Sequence, residues 1–325
     1  MSKVYVTRVI AQEALEKLRA AAEVSVWPDP EAPPSRAELL KQVREADGLL
    51  CLLTDTVDTE VMAAAPRLRV ISNCAVGYDN VDVAEATRRG IMVCNTPGVL
   101  TETTADLAWS LIMAAARRIS ESERYLRAGK WQSWSPQLML GQDVWGATLG
   151  VIGLGRIGQA VARRARGFEM RILYHDSERK PEAEPESGAT FVDLPTLLRE
   201  SDFVSIHVPL TEQTRHLIGR EELALMKPTA VLVNTARGPV LDGSALAEAL
   251  KQGRIFAAGL DVFETEPISP DDPLLKLDSV VLLPHIGSAS VGTRTRMAQM
   301  AAENVIAGLK RERPRYLVNP EVLAS

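Results

Sequence analysis

The sequence has few cysteines, no excess of basic residues and no long apolar run. Each of these features argues against a particular kind of site, partner or protein. Only three cysteines occur, none in a Cys-x-x-Cys pair, which argues against a disulfide framework and against a zinc site. No stretch of about 18 uncharged apolar residues is present, so no membrane-spanning helix is expected. The net charge of −5 argues against nucleic acid as the main partner.

The amino terminus lacks the apolar core and cleavage site of a signal peptide. We therefore predict a cytoplasmic protein with no metal, whose cysteines are small buried thiols. A length of 325 residues exceeds what one hydrophobic core usually organises, so two domains are expected.

Strand and helix patterns alternate in two parts of the chain. The first ~95 residues contain five apolar runs separated by helical patterns, which predicts one parallel-sheet domain. From residue 148 a second alternation contains six predicted strands, enough for a full dinucleotide-binding domain. The tail, 314–325, is expected to return to the first domain.

Residues 101–128 separate the two alternations and show apolar side chains at helical spacing. We predict one long helix, which can cross between domains or dock a partner subunit. The loop that follows, 130–141, carries Trp131 and Trp134. These tryptophans either pack into the local core or belong to an arm laid across another subunit.

Residues 148–176 have the strand, glycine-rich turn, helix, strand and acid of a nucleotide-binding unit. In this motif the glycines allow a tight turn, close approach of a pyrophosphate and close packing of the helix, whose N-terminus binds the phosphates. The fold class is therefore α/β with Rossmann-like or flavodoxin-like domains. The predicted cofactor contacts here are Gly153, Gly155, Arg156, Ile157, Gly158 and Asp176.

Asp176 would accept hydrogen bonds from the adenosine ribose and repel a 2′-phosphate, which favours NAD over NADP. Arg179 and Lys180 follow closely. They either lie in a solvated loop or serve a 2′-phosphate, so NADP stays possible.

Three polar side chains follow predicted strands, where ligands bind in open α/β sheets. His285 is the best candidate for a general acid/base. Glu266 would keep it protonated and oriented, and Arg237 could hold a substrate carboxylate. By spacing alone, Glu266 and Arg237 could equally be ordinary surface charges.

The other histidines are weaker candidates. His207 ends a predicted strand and could line the cofactor, although a structural histidine is the better interpretation. His216 is expected to be solvated in a polar loop. His175 precedes Asp176 at the adenosine end, where a role in hydride chemistry is not expected.

Several motifs, spread over nearly the whole chain, resemble those of a known family. The stretches Asn73–Asp82 and Asn95–Leu100, together with 151–158, 234–238, 259–267 and 284–288, resemble the D-2-hydroxyacid dehydrogenases, and within them the glyoxylate/hydroxypyruvate reductases. The resemblance implies a discontinuous substrate-binding domain, 1–99 with 289–325. It also implies an NAD(P)-binding domain, 100–288, and an active-site cleft between the two.

The resemblance also implies the chemistry, a reversible reduction of a small 2-oxoacid to a D-2-hydroxyacid by NADH. Arg237 would bind the carboxylate and carbonyl, His285 would donate the proton and Glu266 would pair with His285. The substrate contacts would include Leu53 as an apolar wall, the backbone N–H groups of Val76 and Gly77, and Trp134 from the neighbouring subunit of a homodimer. Further cofactor contacts would be Thr104, His207, Pro209, Thr235, Ala236, Asp261 and Gly287.

Alternatives remain at this point. Many glyoxylate reductases prefer NADP and carry Ser or Gly followed by Arg where this chain has Asp176-Ser177. A dehydrogenase for phosphoglycerate, lactate or 2-ketogluconate is the nearest rival, and no regulatory domain is expected at the carboxyl end. A nucleotide-sensing corepressor-like scaffold is the rival from another class, because fold does not fix function. It is disfavoured by the intact Arg237, Glu266 and His285.

Overall fold

Two parallel sheets organise the chain in a computed structural model that describes residues 1–323. The chain divides into two compact units. The first unit comprises Met1–Leu100 and the chain from Ser288 onward, and the second comprises Thr101–Gly287. The α/β class with two parallel-sheet domains, predicted from the sequence, is confirmed.

The sheet of the first unit has five strands in the order β2-β1-β3-β4-β5, and all its pairs are parallel. Its central strands are buried on both faces, which is why they read as continuous apolar runs rather than alternating ones. The strands are β1 Lys3–Val6, β2 Glu23–Val26, β3 Gly48–Cys51, β4 Val70–Asn73 and β5 Met92–Cys94.

Helices connect these strands, and the carboxyl-terminal part of the chain completes the first unit. Ala298, Ala301, Ala302 and Val305 of the last helix are buried with residues of β1, β3 and β4 in one core. In the tail, the Val318 N–H donates to Val93 O at 2.7 Å. The helices are α1 Gln12–Ala21, α2 Arg36–Val43, α3 Thr59–Ala64, α4 Val83–Arg88 and, after the second unit, α12 Val291–Leu309.

The sheet of the second unit has seven parallel strands in the order β12-β11-β10-β9-β6-β7-β8, which is the doubly wound arrangement. The expectation of six strands was wrong, because Ala189–Phe191 adds an edge strand too short to show a pattern. The strands are β6 Thr148–Ile152, β7 Arg171–His175, β8 Ala189–Phe191, β9 Phe203–Ile206, β10 Val231–Asn234, β11 Ala257–Leu260 and β12 Val280–Leu282.

Seven helices surround this sheet in the second unit. One of them, Glu184–Ser187, is only four residues long. The helices are α5 Thr101–Ala116, α6 Ile119–Arg127, α7 Arg156–Ala165, α8 Glu184–Ser187, α9 Leu194–Glu200, α10 Arg220–Leu225 and α11 Gly243–Lys251.

The single helix predicted over 101–128 was wrong, because the chain breaks between α5 and α6. Arg118 has the left-handed φ of 52°, which ends the helical path. The Ala116 carbonyl accepts the Gln142 N–H at 2.9 Å, and the Arg118 guanidinium pairs with Glu121 at 2.7 Å. These contacts hold the break in a sequence whose arginines favour helix.

Within residues 1–323, no helix combines the length and the apolarity that crossing a bilayer requires. In the same part of the chain, no three His, Cys, Asp or Glu side chains are grouped as metal ligands. The three cysteines are free thiols, and burial raises the pKa of Cys74 and of Cys94 to about 12.

Candidate active site

His285 and Glu266 lie on two loops at the carboxyl end of the second sheet. Glu266 follows β11 and His285 follows β12, so the parallel register brings the two loops together. His285 Nδ1 lies 2.7 Å from Glu266 Oε2, and the other carboxylate oxygen accepts the Phe263 N–H at 3.0 Å. The side chains are 26% and 29% exposed, so the pair is sheltered but open to a ligand.

The backbone of His285 is held by the predicted cofactor residues. His285 has a φ of 54°, a left-handed conformation that is uncommon for this residue type and is often found at functional sites. Buried Asp261 accepts the N–H groups of Ile286 and Gly287, each at 2.7 Å, and Thr104 donates to Gly287 O at 3.1 Å. Asp261 therefore secures the loop that carries His285.

Charge and burial act in opposite directions on these carboxylates. Burial alone would raise the pKa of Glu266, but the hydrogen bond and charge of His285, the Phe263 N–H and the charge of Arg237 lower it overall. Glu266 is therefore ionised at neutral pH. Burial raises the pKa of Asp261, although the two N–H groups and His285 oppose that rise.

Arg237 follows β10 in a turn organised by Asn234, a residue whose role the sequence pattern does not indicate. Buried Asn234 accepts the Ala236 N–H at 3.0 Å and donates to Arg237 O at 2.9 Å. The next residue, Gly238, packs directly on Phe263, since a Cβ there would lie 1.9 Å from the Phe263 backbone. A glycine between two strand ends was the signal that could have indicated this close approach.

The glycine-rich turn after β6 has space where a phosphate would lie. Gly153 has a φ of 93°, and a Cβ on Gly158 would lie 2.0 Å from Gly153 O, so both positions require glycine. Gly155, by contrast, faces open space and is the N-cap of α7 without a side-chain acceptor. The first N–H groups of α7, at Arg156 and Ile157, therefore fit an anion.

Asp176 lies at the end of β7 beside this turn. Its Oδ2 accepts the Leu154 N–H at 2.9 Å and lies 3.6 Å from the Lys180 ammonium. Arg179 is committed to Glu184, with bonds of 2.8 and 2.9 Å. Both basic side chains are thus paired with carboxylates in this structure.

The remaining predicted cofactor residues lie at the ends of β9 and β10. His207 Nε2 lies 2.8 Å from Ser205 Oγ, and burial lowers the pKa of His207 to about 3, so this ring is neutral. Pro209 O accepts a bond from Thr214. Buried Thr235 Oγ1 has no hydrogen-bond partner within residues 1–323, which suits a polar ligand beside Ala236.

The substrate residues expected in the first unit follow β3 and β4. Leu53 is exposed, and Val76 and Gly77 lie half-buried in the loop after β4. The Val76 and Gly77 N–H groups donate to no protein acceptor within the described part of the chain. They therefore remain available to an anion.

The tryptophans of the 130–141 loop do not pack into a local core, which corrects one of the two interpretations. Trp131 is 55% exposed and Trp134 is 79% exposed.

The other two histidines each have a polar neighbour. His216 was expected to be solvated, and its Nε2 lies 2.5 Å from Glu264 Oε1. His175 Nδ1 lies 3.1 Å from Val192 O.

A cavity of about 410 Å³ lies in the second unit at the other end of the strands. It is lined by the α5–α6 break and the starts of β11 and β12, including Arg118, Glu121 and Asp278. The catalytic candidates are not among its lining residues.

Comparison with known proteins assigns the family. A family model described as "D-isomer specific 2-hydroxyacid dehydrogenase, NAD binding domain" matches residues 109–287. A glyoxylate reductase of Korarchaeum cryptofilum is 60% identical over 322 residues, which cover 99% of this chain and 97% of that protein.

Two solved structures are similar over almost the whole chain. A protein of Thermus thermophilus superposes with a TM-score of 0.92 at 48% identity, covering 97% of this chain and 99% of that one. An NADPH-dependent glyoxylate/hydroxypyruvate reductase of Sinorhizobium meliloti, solved with NADP and malonate, has a TM-score of 0.85 at 34% identity. That match covers 98% of this chain and 96% of the other.

The two-unit fold with its glycine-rich turn after β6, together with these matches, defines an NAD(P)-dependent oxidoreductase. The chain belongs to the D-isomer specific 2-hydroxyacid dehydrogenases, which confirms the resemblance recognised in the sequence.

Proposed function

We propose that this protein reduces glyoxylate and hydroxypyruvate to glycolate and D-glycerate. The observation that carries the proposal is the His285–Glu266 pair at 2.7 Å, with the Arg237 charge acting on the same carboxylate. The glyoxylate reductase of Korarchaeum cryptofilum, 60% identical, supports the choice of substrate.

The proton of the reaction comes from His285 in this proposal. Because Nδ1 is engaged by Glu266, Nε2 is the ring nitrogen that can hold a proton toward the substrate oxygen. Glu266 is ionised, so it stabilises the imidazolium and keeps the ring in one orientation.

The carboxylate of the oxoacid is bound by Arg237, whose planar guanidinium matches it with two parallel bonds and polarises the neighbouring carbonyl. In the first unit, the N–H groups of Val76 and Gly77 are donors that suit a substrate carboxylate. Leu53 contributes apolar surface that suits a small substrate.

Bound NADH supplies the hydride. The residues that would hold it are the turn from Gly153 to Gly158, Asp176 at the ribose and the Thr235 hydroxyl. We propose NAD as the preferred cofactor, because Asp176 keeps its carboxylate at the ribose position and Arg179 is paired with Glu184. The Sinorhizobium meliloti relative is NADPH-dependent, so the preference is a property to be measured on this chain.

We further propose a homodimer in which Trp134 contacts the substrate site of the neighbouring subunit. The 79% exposure of Trp134 supports this role, because large aromatic side chains are enriched at interfaces.

The test is the oxidation of NADH and NADPH by one purified sample, with glyoxylate and then with hydroxypyruvate. Faster turnover with NADH supports both the activity and the role of Asp176. Faster turnover with NADPH keeps the activity and overturns the cofactor preference. The absence of turnover with both oxoacids overturns the proposed substrate class.

A further inference from the structure

We propose that Asn95 is a positioning residue that aims the N–H groups of Val76 and Gly77 at the substrate carboxylate. The inference rests on the proposed function and concerns how the first unit prepares its donors. All the residues that carry it belong to that unit.

Successive carbonyls of the loop after β4 are bonded from the chain segment that follows β5. Ala75 O accepts the Thr96 N–H at 2.8 Å, and Val76 O accepts from Asn95 Nδ2 at 2.7 Å. In a trans peptide the C=O and the N–H point in opposite directions. Bonding the Ala75 and Val76 carbonyls therefore turns the Val76 and Gly77 N–H groups to the opposite side.

The next carbonyl is bonded in the same way by another asparagine. Buried Asn73 donates from Nδ2 to Gly77 O at 2.9 Å and to Asn80 Oδ1 at 2.9 Å. Asn80 in turn donates to Leu52 O and Asp55 O, at 3.0 and 2.9 Å, on either side of Leu53. The carbonyls of Ala75, Val76 and Gly77 are therefore each fixed by a donor.

Asn95 is itself fixed through its main chain by the carboxyl-terminal part of the unit. Its carbonyl accepts from Nδ2 of Asn304, a buried residue of α12, at 3.1 Å. Its N–H donates to Tyr316 O at 3.3 Å. These bonds fix the Asn95 main chain, so that its side-chain amide lies within hydrogen-bonding distance of Val76 O. The amide therefore sets the orientation of the peptide between residues 76 and 77.

The choice of side chain at position 95 follows from the charge of its outer atoms. Asparagine presents N–H donors to a carbonyl, whereas an aspartate of the same shape would present an anionic oxygen to it. The repulsion would release the Val76 carbonyl and let the 76–77 peptide turn, which removes the Gly77 N–H from the carboxylate.

The experiment measures binding of oxamate, an unreactive molecule with a carboxylate beside a carbonyl, to Asn95→Asp by calorimetry with NADH present. We expect the Kd for oxamate and the KM for glyoxylate to rise about 10-fold to 100-fold, as for one lost bond to a charged group. Affinity for NADH should not change. Asn95→Ala, which adds no charge, should show the same split with a smaller rise and serves if Asn95→Asp does not fold.

The matched control is Asn319→Asp. Asn319 is another buried asparagine of this unit, whose Nδ2 donates to Ile91 O and Thr87 Oγ1. We expect a lower Tm and an unchanged affinity for oxamate.

Unchanged oxamate affinity in both Asn95 variants, or an equal loss in Asn319→Asp, would overturn the positioning role. A wild-type protein that reduces neither oxoacid and does not bind oxamate would instead overturn the proposed function, and with it this inference.

Discussion

Replacing Glu266 by glutamine removes the negative charge from the His285–Glu266 pair. Glutamine keeps the size and one carbonyl oxygen, so His285 Nδ1 can still donate and the ring keeps its orientation. The negative charge is lost, together with the second carboxylate oxygen, which accepts the Phe263 N–H. Because the proposed proton donor then lacks its anionic partner, the variant should turn over more slowly than the wild type.

The geometry of the His285–Glu266 pair sets the expected size of the effect on turnover. A hydrogen bond to a charged group contributes about 1.5 to 3 kcal/mol, and the 2.7 Å contact is of that kind. Because each side chain is more than a quarter exposed, solvent screens the pair, and the lower end of that range applies. About 1.4 kcal/mol corresponds to about a tenfold change in rate.

The assay is the rate of NADH oxidation with saturating glyoxylate from about pH 5 to about pH 9. We expect turnover of Glu266→Gln to be about tenfold slower than that of the wild type across this range. The lowered pKa of Glu266 means that the wild-type carboxylate stays ionised across this range, so its contribution is lost only below it.

The matched control is Glu264→Gln, two residues away, which also removes a carboxylate from a histidine, His216. Its turnover should equal that of the wild type. Unchanged turnover of Glu266→Gln, or an equal loss in Glu264→Gln, would refute the reasoning.

Three further predictions use the same assay. His285→Ala should reduce turnover about 100-fold or more, because a positioned acid contributes about that much; an active variant would contradict the assignment. Arg237→Lys should raise the KM for glyoxylate about 10-fold or more, since one ammonium cannot form both bonds of the guanidinium; an unchanged KM would contradict carboxylate binding. Asp176→Ala should lower the ratio of NADH to NADPH turnover, and an unchanged ratio would contradict the ribose role.

The class of fold and the main candidate residues could be predicted from the sequence, because both depend on local patterns. The order strand, glycine-rich turn, helix, strand and acid is contained in 148–176, and both Gly153 and Gly158 have the geometry that the motif demands. His285, Glu266 and Arg237 were selected because each follows a strand, and parallel strands end at the same edge of a sheet.

Tertiary structure decided the features that depend on contacts distant in sequence. The helix over 101–128 breaks at Arg118 because the Ala116 carbonyl accepts Gln142 N, which no helical periodicity reports. The left-handed backbone of His285 is secured by Asp261, through bonds that span 25 and 26 residues of the chain. The pattern of apolar residues in the sequence indicates which positions are buried. It does not indicate which polar group a buried carbonyl or carboxylate contacts. For the same reason, the bond from Asn95 to Val76 became visible only in the folded chain.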